Sequence, residues 1–287
     1  MSEALRPIHL LPILTAATLL IVTSSAANAA DVSPWQDDAQ SAARLISGQA
    51  INESGGRMFR AGVEIKLKEG WKTYWRYPGD SGVPPVLDFS KSQNVKTVAV
   101  LYPAPTRFSD GGGGNSIGYK GGLILPLHVV AQDASKPVTL NLKLDYAVCE
   151  KLCVPAEARL ELVTTGGETA NEALLNAAEV RVPKPAAIGA DGTPSIRAVH
   201  REAGSNKPRV TVDVAAPAGA PVTLFAEGPT AQWALPLPEP VAGAPAGLQR
   251  FAFELDGLPP GEKASGATLR LTAVSGDKAI EVAFRLD

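Results

Sequence analysis

Cysteine is nearly absent from this sequence: Cys149 and Cys153 are the two that occur in 287 residues. So few cysteines exclude a small disulfide-stapled scaffold, and a chain of this length can bury a core without staples. Metal-binding side chains are equally sparse. Beyond the N-terminal segment only His128, His200 and Met58 could join the two cysteines, and none sits at motif spacing. Soft-metal sites recruit more donors than that, so neither a metal nor any other cofactor is expected. Clustered positive charge is missing too. The formal net charge is -2 and no basic run stands out, which argues against nucleic acid as a partner. After the first thirty residues no apolar stretch approaches the length of a bilayer span, so a soluble mature protein is expected.

What is present begins with a leader. Arg6 supplies a positive start, an apolar stretch follows from Ile8 to Val22, and Ala27-Asn28-Ala29 offers a small-x-small cleavage site. His9 and Pro12 interrupt the apolar run, which favours a cleaved signal peptide over 1–29 against a membrane anchor. No cysteine lies beside the cleavage site, so a lipoprotein is not expected. Export to the periplasm would place the cysteine pair in an oxidising compartment, where a disulfide is the simplest state.

The mature part reads as β-rich. Proline (24) and glycine (27) are plentiful and spread along the chain, which favours short strands joined by turns. A short helix is predicted over Gln36 to Leu45. Strands are predicted over 57–68, 71–77, 95–102, 123–130, 138–148 and 158–164, where apolar and polar residues alternate or aromatics cluster. The glycine run within Ser109 to Ser116 is expected to be a mobile loop. A helix is predicted from Glu168 to Val182, stopped by Pro183, followed by a Pro-, Ala- and Gly-rich linker to Pro194. Further strands are predicted over 209–214, 222–226, 249–255, 268–274 and 279–286. The expected organisation is all-β: two β-sandwich-like domains over 50–165 and 195–287, joined by a helix and linker over 166–194.

Chemistry concentrates in Leu144-Asp145-Tyr146-Ala147-Val148-Cys149-Glu150-Lys151-Leu152-Cys153-Val154-Pro155. A fully extended chain would hold the two Cα atoms about 13 Å apart, beyond bonding range. A hairpin with Glu150-Lys151-Leu152 as its loop would bring them to roughly 5.5 Å and place the pair at an accessible strand end. A structural staple closing so short a loop contributes about 2 kcal/mol, little beside the burial of a core this size. An exchange-active pair needs an accessible sulfur, which a hairpin tip supplies. Lys151 would favour a thiolate and Glu150 would oppose it, and spacing alone leaves the staple and redox readings level. Other residues read as structural. Trp71, Tyr74, Trp75 and Tyr77 suit sheet packing better than a carbohydrate platform. Asp80, Asp88 and Asp110 suit turns, and His128 has no Ser or Asp motif partner, so hydrolase chemistry finds no support. Pro78 to Gly82 lacks the Gly-Lys-Ser/Thr ending of a phosphate loop.

Several motifs occur together in a recognisable order. These are Gly70-Trp71-Lys72-Thr73-Tyr74-Trp75-Arg76-Tyr77-Pro78-Gly79-Asp80-Ser81-Gly82, then Tyr102 to Phe108, Gly118 to Gly121, Leu125 to Leu127, and Tyr146 to Ala156 around the cysteines. Over about 55–165 the sequence resembles the periplasmic N-terminal domain of the thiol:disulfide interchange protein DsbD, in the ScsB-like variant. The resemblance implies immunoglobulin-like sandwiches and makes Cys149 and Cys153 the redox pair. That pair would take electrons from a membrane-embedded relay and pass them to periplasmic thiol-disulfide proteins, as a component of protein-disulfide reduction. It also implies an aromatic cap over the cysteines or at the partner contact, for which Phe108 and Tyr119 are the candidates. The three-residue spacing of the cysteines fits the variant branch. The sequence shows no transmembrane electron-transfer or thioredoxin-like domain, so a standalone form dependent on a separate relay is expected. The competing expectation is a non-enzymatic β-sandwich binding or assembly module with a structural disulfide.

Overall fold

The structure, a computed structural model, describes residue 1 and residues 30–53, 56–80, 82–109, 113–202, 208–217 and 219–287. The predicted leader, apart from Met1, and residues 110–112 of the predicted glycine loop lie outside the described residues.

In chain order the elements are β1 (Gln36–Asp37), β2 (Ser41–Ser47), β3 (Ile51–Glu53), β4 (Gly56–Leu67), β5 (Lys72–Gly79), β6 (Val86–Asp88) and β7 (Val95–Val100). There follow β8 (Thr106–Ser109), β9 (Asn115–Lys120), β10 (Leu123–Ala131), β11 (Val138–Cys149), β12 (Cys153–Thr164) and α1 (Glu172–Val180). The remainder are β13 (Lys184–Pro185), β14 (Ser195–Glu202), β15 (Arg209–Ala215), β16 (Thr223–Glu227), β17 (Glu239–Val241), β18 (Leu248–Glu254), β19 (Thr268–Ser275) and β20 (Lys278–Arg285). The chain is all-β in class, built as immunoglobulin-like sandwiches. One sheet has the order β1-β2-β4-β10-β7 with β3 on β4, and a second has β12-β11-β5-β9-β8 with β6 on β11. Two four-stranded sheets follow, β13-β20-β19-β16 and β14-β15-β18-β17.

The long hairpin β11–β12 shows how sequence makes the first sandwich. Val138, Leu140, Leu142, Leu144, Tyr146 and Val148 are all buried and fall on one face by the period of two, with Thr139, Asn141, Lys143 and Asp145 on the other. Ala156, Ala158, Leu160 and Leu162 of β12 continue the inward rows in register. Facing them are Ala43, Leu45, Phe59, Ala61, Val63, Ile65, Leu125, Leu127 and Val129 of the first sheet. The second core gathers around Trp233, Phe251, Phe253, Leu269 and Leu271.

The helix predicted over Gln36 to Leu45 is not formed. Ser41–Ser47 is a strand paired along its whole length with β4, which places Ala43, Leu45 and Ser47 in the buried row. An alanine-rich segment has high helix propensity, but here the ladder with β4 and the burial of Leu45 and Ile46 outweigh it. The predicted helix after Glu168 does form, as the shorter α1, and it packs on the outside of the first sheet. Leu175 is fully buried there, and a Cβ at Gly48 or Gly62 would stand 2.4 or 2.9 Å from its methyl carbons. Arg60 of β4 fixes the helix from below. Its guanidinium donates to Glu172 at 2.8 Å, Asn176 at 2.7 Å and Glu179 at 2.9 Å, three positions spaced to share one helix face. No helix among the described residues is long and apolar enough to cross a membrane.

Candidate functional site

Cys149 ends β11 and Cys153 opens β12, and they pair directly across the hairpin with Glu150-Lys151-Leu152 as the loop. Their sulfurs are bonded at 2.10 Å and their Cα atoms are 4.1 Å apart. This is closer than the roughly 5.5 Å of a hydrogen-bonded cross-strand pair and matches the narrower non-hydrogen-bonded site. The two sulfurs are not equivalent. Cys149 is 2% exposed, whereas Cys153 is an exposed residue.

Register assigns the neighbours. Val148 pairs with Thr73 and Thr73 with Tyr119, so these share the inward row of the sheet. Cys149 pairs with Lys72 and Lys72 with Lys120, so the disulfide and both lysines share the outward row. Cys149 is nevertheless buried because Tyr74 covers it, the two forming with Ala147 a small cluster separate from the main core. The Tyr74 hydroxyl stands 2.9 Å from the Cys149 sulfur and 3.0 Å from the Cys153 sulfur. With the sulfurs oxidised and bearing no hydrogen, the hydroxyl is the donor. Gly82 packs against this tyrosine and Gly79 ends its strand. Gly82 lies over the ring, where a Cβ would come within 2.5 Å of Tyr74 Cε1 at a φ of 151°. Gly79 has a φ of 86° and faces the Asn115 carbonyl, from which a Cβ would be 2.6 Å.

Of the two aromatic candidates, Tyr119 is turned inward. Its hydroxyl donates to the Pro103 carbonyl at 2.8 Å, and burial pushes its pKa well above the usual phenol value. Phe108 is 8% exposed and lies beneath the Lys72 and Lys120 ammonium groups, whose nitrogens are 4.6 and 5.6 Å from the ring centroid. Neither belongs to the buried cluster around Cys149. Tyr74 is the site residue that sequence reasoning passed over as sheet packing. The clue was its parity: Trp75 and Tyr77 both point into the core, which leaves Tyr74 on the opposite face with the cysteines.

A cleft of about 500 Å3 between α1 and the β8–β10 region includes neither cysteine in its lining. Among the described residues no group of three or more His, Cys, Asp or Glu side chains stands together as a metal site.

Immunoglobulin-like sandwiches that carry one cystine at an outward-facing hairpin tip define the class of protein. Residues 43–165 match the family model of the N-terminal part of the thiol:disulfide interchange protein DsbD, so the resemblance read from the motifs holds over this segment. Among solved structures, the chain is similar to the N-terminal periplasmic domain of ScsB from Proteus mirabilis, with a TM-score of 0.68 and 20% identity. That likeness spans 89% of this chain and 98% of the ScsB chain, so the fold shared with it includes both halves. A search of curated proteins finds no match.

Proposed function

We propose that this protein is an exported thiol:disulfide exchange protein that works through the Cys149–Cys153 pair in the periplasm, between a membrane-embedded electron relay and periplasmic protein partners. The observation that carries this reading is the asymmetric cystine, with Cys153 an exposed residue, Cys149 a buried one and the Tyr74 hydroxyl beside both sulfurs. The partner's thiolate attacks the Cys153 sulfur along the S–S axis. The Cys149–Cys153 bond breaks as the new intermolecular disulfide forms, and Cys149 leaves as a thiolate that then takes up a proton. A second thiolate of the partner attacks its own sulfur in the mixed disulfide and releases Cys153. The partner is then a disulfide and this pair a dithiol, with two electrons transferred; the reverse sequence passes them on. Within this reading the half containing 195–287 supports the exchange domain, and Phe108 belongs to the partner contact.

The Tyr74 hydroxyl has a defined part in this step. It donates to the sulfur on which negative charge develops, and hydrogen bonds to charged groups are worth about 1.5–3 kcal/mol. Tyr74→Phe is therefore expected to slow reduction by dithiothreitol about tenfold at constant pH, with a global stability loss below about 1 kcal/mol. An unchanged rate would remove Tyr74 from the mechanism and leave it as packing.

The reading as a whole is tested by the reduction potential of the pair, equilibrated against glutathione redox buffers. Exchange proteins fall between about -120 and -270 mV, and that is the expected range here. A potential below about -300 mV would mark a resistant structural bridge and favour a binding module instead.

A further inference from the structure

Four of the nine large apolar side chains exposed among the described residues lie on the hairpin that carries the cystine or on the Val83–Val86 segment beside it: Leu152 at 78%, Val83 at 58%, Val86 at 57% and Val154 at 37%. They do not form an even ring. Leu152 stands at the tip of the hairpin loop, while Val83 and Val86 line a cleft of about 420 Å3 with Pro84, Tyr146, Pro155 and Ala156, together with Asp145 and Glu157, whose carboxylates pair with Lys143. Register places this cleft beside the disulfide. Pro155 pairs with Ala147 one row below Cys149 and Cys153, and Asp145 in the row below that pairs with both Val86 and Glu157. Rows two residues apart along a strand are about 7 Å apart, so the cleft begins at Pro155 one row from the cystine and extends to Val86 about 14 Å away, within the span of a few residues of a bound segment.

The flank across the sheet, at the level of the cystine itself, is different in kind. In the row Cys153–Cys149–Lys72–Lys120 the two lysines continue away from Cys153, across about 10 Å of sheet. Both ammonium groups stack on Phe108, and Lys72 also donates to the Ser109 carbonyl at 3.5 Å. Neither forms an ion pair with a carboxylate among the described residues. The cystine thus has a mainly apolar cleft further along its hairpin and, across the sheet at its own level, two lysines that form no ion pair among the described residues.

From this asymmetry we infer that the exchange partner is a protein whose reactive cysteine has apolar residues on the side that meets the β11–β12 hairpin and carboxylates on the side that meets β5 and β9. The apolar residues enter the Val83–Val86–Pro155 cleft against Leu152, and the carboxylates meet Lys72 and Lys120 over Phe108. The inference rests on the exchange reading and adds the chemistry of the partner to it. Apolar contact at the cleft prolongs the encounter, and opposite charge at the lysines speeds its formation and sets its orientation.

The test uses the whole protein and three blocked peptides, each with one cysteine between glycines so that thiol reactivity is matched. One carries Leu-Val on one side and Glu-Glu on the other, the second replaces Glu-Glu by Lys-Lys, and the third replaces Leu-Val by Ser-Ser. Each mixed-disulfide rate constant is divided by the same protein's rate constant with dithiothreitol. At about 0.02 M salt the Glu-Glu peptide is expected to react about tenfold faster than the Lys-Lys peptide, a ratio falling to about twofold at 0.5 M. The Ser-Ser peptide is expected to be about fivefold slower than its apolar counterpart. Lys72→Glu with Lys120→Glu should invert the charge preference, and Leu152→Asp with Val86→Asp should abolish the apolar one. Equal rates for the three peptides on the unaltered protein would overturn the inference while leaving exchange intact. A disulfide that dithiothreitol itself leaves unreduced would defeat the exchange reading and the inference with it.

Discussion

In the reduced protein, Cys153 is expected to react with 5,5′-dithiobis(2-nitrobenzoic acid) about 100-fold faster than Cys149. The argument is one of access. Cys149 is 2% exposed beneath Tyr74, while Cys153 is exposed at the start of β12. A reagent reaches Cys149 only after Tyr74 and the Gly82 segment move away, and an opening of about 2.7 kcal/mol already gives a factor of 100. The single variants Cys149→Ser and Cys153→Ser each leave one thiol and make the comparison direct. The same difference governs trapping. Cys149→Ser should hold a partner in a lasting mixed disulfide on Cys153, because the resolving sulfur is gone, whereas Cys153→Ser should trap nothing. Similar labelling rates in the two variants would mean that Tyr74 does not cover Cys149 in solution, and that the order of attack assigned here is wrong.

That order was not legible in the sequence, although the pair itself was. Spacing alone required a tight turn between Cys149 and Cys153, and the alternating run from Val138 to Val148 set the hairpin and its inward face. The motif order around Trp71 to Gly82 led to the family now matched over 43–165. What spacing does not carry is the burial of one cysteine and the exposure of the other. That depends on Tyr74, which reaches Cys149 from a strand 75 residues away in sequence. Parity within Trp71 to Tyr77 was a signal left unused that sets Tyr74 apart from the core aromatics, and only the pairing of β5 with β11 shows what it covers. Local propensity misled at Gln36 to Leu45 for a related reason. Its alanines favour a helix in isolation, and the β4 edge that recruits them as a strand begins about ten residues later in the chain. The short strands β6, β8, β13 and β17 escaped detection because each has only two to four residues, too few for a period of two to register.

Arg76→Met is expected to cost about 3 kcal/mol of global stability, more than its partly exposed position suggests. Arg76 lies two residues beyond Tyr74 on the same strand and turns toward the second half of the chain. Its guanidinium grips Glu227 with two hydrogen bonds, at 2.9 and 2.7 Å, and also donates to Glu281. Side-chain exposures of 21%, 10% and 25% for Arg76, Glu227 and Glu281 place the group mostly out of water. Burial alone would lower the Arg76 pKa, but the hydrogen bonds and charges of Glu227 and Glu281 more than reverse this, so the raised value reports a net favourable setting for the cation. Next to it Trp75, fully buried, meets Phe225 with ring centroids 5.7 Å apart, and the Tyr77 hydroxyl donates to the Leu235 carbonyl at 2.8 Å. β5 therefore serves the cystine from one residue and joins the two halves from the next three. Loss of Arg76 leaves Glu227 buried without a counter-charge, and that orphaned carboxylate accounts for most of the penalty. The double variant Arg76→Met/Glu227→Leu is accordingly expected to regain about 2 of the 3 kcal/mol in urea unfolding, since Glu281 keeps Arg270 at 3.4 Å. A double variant as unstable as the single one would shift the explanation from the stranded charge to lost packing between Trp75 and Phe225. In that case the aromatic contact, and not the ion pair, would hold the second half against the strand that carries Tyr74.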